Sequence, residues 1–242
     1  MIILGLINQL RINQATKVIL FPIFLIIFTL LSQNSYGNFK LNLQKLCRIM
    51  DFNSLKSLLK RDRSIRQYNE SRRVTEAELF DIVSLTRYCA SGRNLQPLRY
   101  RMVISEEECE RIFPLLAWAG YYKHWDGPES GKRPAAYIIQ CIDSRLCKSA
   151  ECDCGLSLQA ITLGAVSKGL GCCIIKSFDP EKVKSVLGLP EWCVPVYVIS
   201  LGYPAEKAVV TEVDKDGDIK YFRDRDGVQC VPKRRMDDLM IY

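Results

Sequence analysis

The chain has 242 residues, 48% of them hydrophobic and 25% charged, which suits one ordinary globular domain with an appendage. Its net charge of +7 suggests a nucleic-acid binder until the charge is located: residues 1–49 hold Arg11, Lys17, Lys40, Lys45 and Arg48 with no acid, and the remaining 29 basic and 27 acidic residues leave only +2. A body so near neutral lacks the basic footprint of nucleic-acid recognition, and a single histidine argues against most hydrolytic triads.

The first 49 residues differ from the rest. Val18–Leu31 is an apolar run broken only by Pro22 and Thr29, with Arg11 and Lys17 before it. It is short for a membrane span and suits a signal-peptide core, with Ser35-Tyr36-Gly37 as a passable cleavage site. Met50 stands directly before an amphipathic helix, so the same residues also read as an extension from an over-early start. The expected division is 1–49 as signal-like, anchor or non-native segment and 50–242 as the domain, able to fold alone. Eleven cysteines, several within apolar runs such as Tyr137–Ile142, behave as small hydrophobes. Their spread favours a reducing, cytoplasmic compartment over export or membrane tethering.

From Asp51 the spacing of Phe52, Leu55, Leu58 and Leu59 predicts a helix, followed by a polar loop over Arg61–Tyr68. Thr75-Glu76-Ala77-Glu78 is a capping box opening a helix through Leu79, Ile82 and Val83. A polar loop at Ser91 leads to a strand in which Tyr100, Met102 and Ile104 alternate with Arg99, Arg101 and Val103. Ser105 caps a helix expected to run to about Ala119. Gly120–Pro134 reads as an aromatic, glycine-bearing loop and Ala135–Ile142 as a buried strand. Cys154–Lys168 reads as a helix stopped by Gly169, Cys172–Ile175 as a strand, and Asp179-Pro180 as a helix start. Val194–Leu201 is an apolar strand. A charged segment with a turn at Asp216-Gly217 and a basic tail close the chain. Helices and strands mix without strict alternation, the pattern of an α+β fold.

Four of these segments carry chemistry. Arg63-Ser64-Ile65-Arg66, Ser91-Gly92-Arg93-Asn94-Leu95-Gln96-Pro97, Gly169-Leu170-Gly171 and Leu201-Gly202-Tyr203-Pro204 stand in an order and spacing that resemble the nitroreductase family of FMN-dependent oxidoreductases, over about residues 50–242. Lys220-Tyr221-Phe222-Arg223-Asp224 and Val231-Pro232-Lys233-Arg234 are similar to a bacterial branch of it. The resemblance implies a three-layer α+β fold, with a mixed, mainly antiparallel sheet flanked by helices, in an intertwined homodimer with FMN at the subunit interface. It implies NAD(P)H as donor, ping-pong transfer through flavin N5, and nitroaromatics, quinones or similar electron-poor molecules as acceptors. No catalytic side chain and no metal is expected, because the flavin carries the chemistry.

Arg63 and Ser64 have the donors a phosphate monoester wants. The resemblance places Arg66 near the pyrimidine edge of the ring, where a cation favours the reduced, anionic cofactor. It makes Ser91, Arg93 and Asn94 flavin contacts and Gln96 a contact to the ring or a brace for the loop, since an amide can donate and accept along a flavin edge. It also passes the backbone of Lys176 and Ser177 across the ring and sends Lys233 and Arg234 to the phosphate. The residue before Arg63 is acidic, Asp62, where the family often has a basic one. Tyr121, Tyr122, His124 and Trp125 are candidates for the open face of the cofactor. Two other readings remain open. One is a different flavin chemistry on the same fold, reductive dehalogenation or flavin fragmentation. The other is a cysteine-rich metal-binding or redox-sensing module built around Cys147, Cys152 and Cys154, whose spacing is poor for structural zinc.

Overall fold

The structure, a computed structural model, describes residues 51–242; the signal, anchor and start-site readings of residues 1–49 lie outside the described residues. The elements in chain order are α1 (Phe52–Arg61), α2 (Glu76–Ser84), β1 (Leu98–Val103), α3 (Glu106–Ile112), β2 (Ala136–Asp143), α4 (Glu151–Ser167), β3 (Gly171–Ile175), α5 (Pro180–Leu187), β4 (Cys193–Gly202), β5 (Ala208–Glu212), β6 (Phe222–Arg223) and β7 (Gln229–Lys233).

Strand β2 organises the molecule because all of its residues are buried. Successive side chains of a strand point to opposite faces, and here both faces are covered. Ala136 and Ile138 join a core with Leu79 and Ile82 of α2 and Leu158, Ile161 and Ala165 of α4. Tyr137, Ile139 and Cys141 join a second core with Cys109 and Ile112 of α3 and Val183 of α5. Helix, sheet and helix therefore form three layers around a sheet of order β1-β2-β4-β3, antiparallel at every pairing. This is the α+β layering the sequence leads one to expect. Among the described residues no helix is long and apolar enough to cross a membrane.

Local signals place most boundaries. Thr75 and Glu78 form the capping box reciprocally, and Asp179 accepts from the amides of Glu181 and Lys182 at the start of α5. Gly169, at φ +78°, takes the left-handed turn that ends α4. One expectation fails. The helix opened by Ser105 stops at Ile112 rather than near Ala119 and passes into a 3-10 turn over Phe113–Leu115, because Pro114 has no N–H to continue the ladder. Helix α1 forms as its spacing predicts, and of its apolar face only Leu58 is buried, while Phe52 is 75% exposed and Leu55 and Leu59 each 39%.

Strand β3 is one edge of the sheet, β1 the other. The segment 63–68 lies against it, with Ser64 bridging Cys172 in parallel and the Ile65 amide donating to Cys172 O at 2.9 Å. Two glycines allow that approach. Gly171 and Gly202 face each other across β3 and β4. A Cβ on Gly171 would lie 2.7 Å from Ile65 Cγ1, and one on Gly202 2.9 Å from Tyr68 Cδ1. Tyr68 is fully buried, and its hydroxyl donates to Ile65 O at 2.5 Å and lies 2.8 Å from Ser200 Oγ.

A second sheet, of order β5-β7-β6, pairs β5 parallel to β7 and β6 antiparallel to it. It turns the expected charged segment and basic tail into structure that reaches back to residue 66. Overpacking a fitted contact costs about 1–3 kcal/mol. Gly171→Ala and Gly202→Ala should each destabilise by that amount in urea unfolding. Gly120→Ala, whose Cβ meets nothing within 4 Å, should change stability by less than about 0.5 kcal/mol.

Candidate cofactor site

The edge of β3, helix α4 and the segment 62–66 enclose a cleft of about 470 Å³. Cys172 and Ile174 form its floor, Gly155, Leu158, Gln159 and Thr162 one wall, and Asp62, Arg63, Ser64 and Arg66 the other. Tyr221, Val231 and Lys233 close it from the C-terminal sheet. A second cavity of about 170 Å³ adjoins it, sharing Arg66, Ile174 and Tyr221 and adding the stretches 117–120 and 175–177. Because Cys172 O points away from β4, to the Ile65 amide, the antiparallel alternation turns the Ile174 peptide groups to the same outer side.

Arg66 is the best defined cation here. The residue is only 8% exposed, and its guanidinium lies 4.7 Å from the centroid of the Tyr221 ring. Its backbone amide donates to Glu206 Oε1, which also accepts from the Gln67 amide at 3.1 Å. Glu206 Oε2 takes Arg223 Nη2 at 2.6 Å. One buried carboxylate thus ties the 66–67 backbone to β6. Arg66 Nε and Arg63 Nε are both buried without a hydrogen-bond partner among the described residues, although Arg63 Nη2 donates to Leu59 O at 2.8 Å. Buried N–H groups left unpaired cost about 1–3 kcal/mol each, so both guanidinium groups are poised for an acceptor that enters the cleft.

The thiols beneath the cleft are not nucleophiles. Burial pushes the Cys172 thiol well above its ordinary range, and burial likewise raises that of Cys173, against the opposing effect of Arg66 and Ser64. Neutral buried thiols are inert. Lys176 turns its Nζ over the Tyr197 ring at 5.2 Å, and Ser177 O accepts from the Ala117 amide at 2.9 Å; both residues line the smaller cavity.

The Ser91 loop lies elsewhere. Ser91, Asn94 and Gln96 line a separate cavity of about 500 Å³ that also takes Asp153 and Ser157. On a helix of 100° per residue, Asp153 and Ser157 occupy the face opposite Gly155, Gln159 and Thr162. Helix α4 therefore stands between the two cavities, and within one chain the Arg63 and Ser91 segments do not share a pocket. Ser91 Oγ donates to Asp153 Oδ2 at 2.5 Å and accepts from the Gln96 amide at 2.8 Å, while the Gly92 amide donates to Asp153 Oδ1 at 3.1 Å. Ser91 thus braces its own loop. The loop carries Arg93, Asn94 and Gln96 at φ of 52°, 55° and 52°, uncommon for residues with a side chain. Arg93 and Arg234 line neither cavity, whereas Lys233 reaches the cleft.

Sequence reasoning passed over the cleft's polar wall. Gln159 Nε2 and Thr162 Oγ1 both donate to Asp62 Oδ2 at 2.7 Å; their spacing of three in an otherwise small and apolar stretch was the available signal. It also passed over Glu206 and Tyr221. Tyr121 meets the Tyr221 ring tilted and Tyr122 meets it edge-on, with centroids 4.8 and 5.3 Å apart, Trp125 packs into the second core, and Tyr221 itself lines both cavities. Cys154 is buried and Cys152 exposed, and no group of three or more potential ligands among the described residues is placed to hold a metal.

The Ser91 side chain and the Gly92 amide hold the Asp153 carboxyl below its usual range. A depressed carboxyl stabilises the fold fully above its unfolded pKa of about 4 and loses that contribution as pH falls through the lower folded value. Asp153→Asn should therefore raise hydrogen exchange at the Gly92 and Gln96 amides about tenfold at neutral pH, the equivalent of about 1.4 kcal/mol. The same amides in the unsubstituted protein should loosen only in acid.

Comparison with known proteins bears on this geometry. The model of the nitroreductase family matches residues 143–203, the stretch holding α4, β3, α5 and β4. A protein of Methanothermobacter thermautotrophicus, provisionally named NADH dehydrogenase/NAD(P)H nitroreductase, is 33% identical over 156 residues, covering 61% of this chain and 76% of its own length. A solved structure of the same provisional name from Bacteroides thetaiotaomicron superposes with TM-score 0.57 at 23% identity, over 69% of this chain and 96% of that one. An FMN-dependent nitroreductase from Clostridium difficile superposes with TM-score 0.52 at 21% identity, over 69% and 97%.

Proposed function

Since the chain belongs to the nitroreductase family, we propose that it is an FMN-dependent oxidoreductase that takes electrons from NAD(P)H and gives them to an electron-poor acceptor such as a nitroaromatic or quinone. The observation that carries this reading is the pair of buried Arg63 and Arg66 Nε groups, without a hydrogen-bond partner among the described residues, in one cleft with an apolar floor and a polar wall. A phosphorylated, flat ring system with a hydrogen-bonding edge fits those residues.

When bound, FMN would supply the redox chemistry, accepting electrons from one substrate and passing them to the next. The chain's residues do the rest. Arg63 and Lys233 offer positive charge to the phosphate. Leu158, Ile174 and Val231 offer an apolar bed, and Ile174 its peptide groups. Arg66 sets a cation at the ring's polar edge, held by the Tyr221 face and, through its own amide, by Glu206. The adjoining cavity around 117–120 and Ser177 gives donor and acceptor a shared place to dock in turn, which suits ping-pong exchange. The Ser91 loop, on the far face of α4, completes a cleft if two copies pair so that one protomer's loop meets the other's cleft; the homodimer is part of this proposal. The exposed Phe52, Leu55 and Leu59 supply apolar surface for it.

Purified protein should carry or bind stoichiometric FMN and lose its yellow colour when NADPH or NADH is added without oxygen. Arg66→Ala should keep the fold and move the flavin midpoint potential negative by about 20–60 mV, the equivalent of about 1–3 kcal/mol in a two-electron couple. A colourless protein holding stoichiometric zinc would overturn the proposal in favour of a cysteine-rich metal module. Turnover of a halogenated aromatic or loss of the flavin itself, with no nitroaromatic reduction, would favour dehalogenation or flavin fragmentation.

A further inference from the structure

One carboxylate lines the cleft among its cations, and no ion pair among the described residues neutralises it. Asp62 shares the cleft with Arg63, Arg66 and Lys233, yet its hydrogen-bonding partners are neutral: Gln159 Nε2 and Thr162 Oγ1, both at 2.7 Å and both on Oδ2. The neighbouring Arg63 turns Nη2 back to Leu59 O. A phosphate entering this end would meet a fixed negative charge as well as positive ones, and like charges a few ångströms apart oppose each other strongly at a partly desolvated site. A sugar-alcohol hydroxyl would meet the reverse: Asp62 Oδ1 as a charge-assisted acceptor, with the Thr162 hydroxyl and the Gln159 amide beside it.

We propose that Asp62, braced by Gln159 and Thr162, makes this cleft read the hydroxyl chain of its cofactor more than the terminal phosphate, so that it holds the unphosphorylated flavin, riboflavin, about as tightly as FMN. The inference rests on the flavin reading above. Asp62 is a specificity-determining residue in it; Arg63 and Lys233 attract the phosphate, and Asp62 offsets that attraction.

The test is equilibrium binding by the full chain stripped of flavin, followed by quenching of flavin fluorescence, with FMN and riboflavin as separate probes. The unsubstituted protein should prefer FMN by less than about tenfold. Asp62→Asn keeps the bonds to Gln159 and Thr162 feasible while removing the charge. It should tighten FMN about tenfold, the equivalent of about 1.4 kcal/mol, and leave riboflavin unchanged or weaker. Asp62→Ser should move the FMN-to-riboflavin ratio the same way. A preference for FMN above tenfold in the unsubstituted protein, or a ratio that neither substitution changes, overturns the role of Asp62 while leaving the flavin reading intact. Failure of all three proteins to bind either flavin overturns both.

Discussion

The close approach of residues 63–68 to the edge of the central sheet is the constraint on which the rest of the structure depends. Gly171 and Gly202 face each other on adjacent strands, and the absence of their side chains leaves the room that Ile65 and Tyr68 fill. Neither glycine has a positive φ; what they provide is space rather than backbone freedom. With that segment seated, Arg63 and Arg66 bracket the cleft, Ile65 takes the last backbone acceptor of the paired edge, and the Ile174 peptide beyond it is left to face the cavity. Two glycine motifs that look like simple helix and strand terminators in the sequence are in fact the seat of the arginine motif.

Around that seat, charge is arranged by burial more than by pairing. Glu206 is spent on two backbone amides and Arg223, which leaves the Arg66 guanidinium with an aromatic face rather than a carboxylate partner. A cation stacked on a ring keeps its hydrogen-bonding capacity for a ligand, whereas an ion pair would have consumed it. Asp62 shows the converse, a carboxylate held by neutral groups, whose field remains available to whatever binds.

Much of this was legible in the sequence, for identifiable reasons. The capping residues Thr75, Ser105 and Asp179 and the apolar runs of β2 and β4 are local signals, and they placed the helices and the sheet. The Arg63–Arg66 motif, and the family resemblance that pointed to Lys176, Ser177 and Lys233, name residues that line two adjoining cavities. What escaped depends on long-range contact. The C-terminal sheet pairs β5 with β7 in parallel across about twenty residues, contains Pro232 and a two-residue strand, and so has no alternation to read. Pro114 ends a helical run whose apolar spacing continues past it, because it has no N–H to extend the ladder. The division of the expected site between two faces of α4 follows from helical phase: Asp153 and Ser157 turn one way, Gln159 and Thr162 the other. Sequence proximity had no means of separating them.

The central claim is that the edge of β3 with its seated arginine segment is where FMN binds. Hydrogen exchange of the full chain, followed by mass spectrometry with and without saturating FMN, addresses it residue by residue. The account predicts slower exchange over residues 63–68, 172–177 and 231–233, with residues 92–96 joining them when the protein is dimeric. Protection confined to other regions, with 63–68 and 172–177 unchanged by FMN, would contradict it.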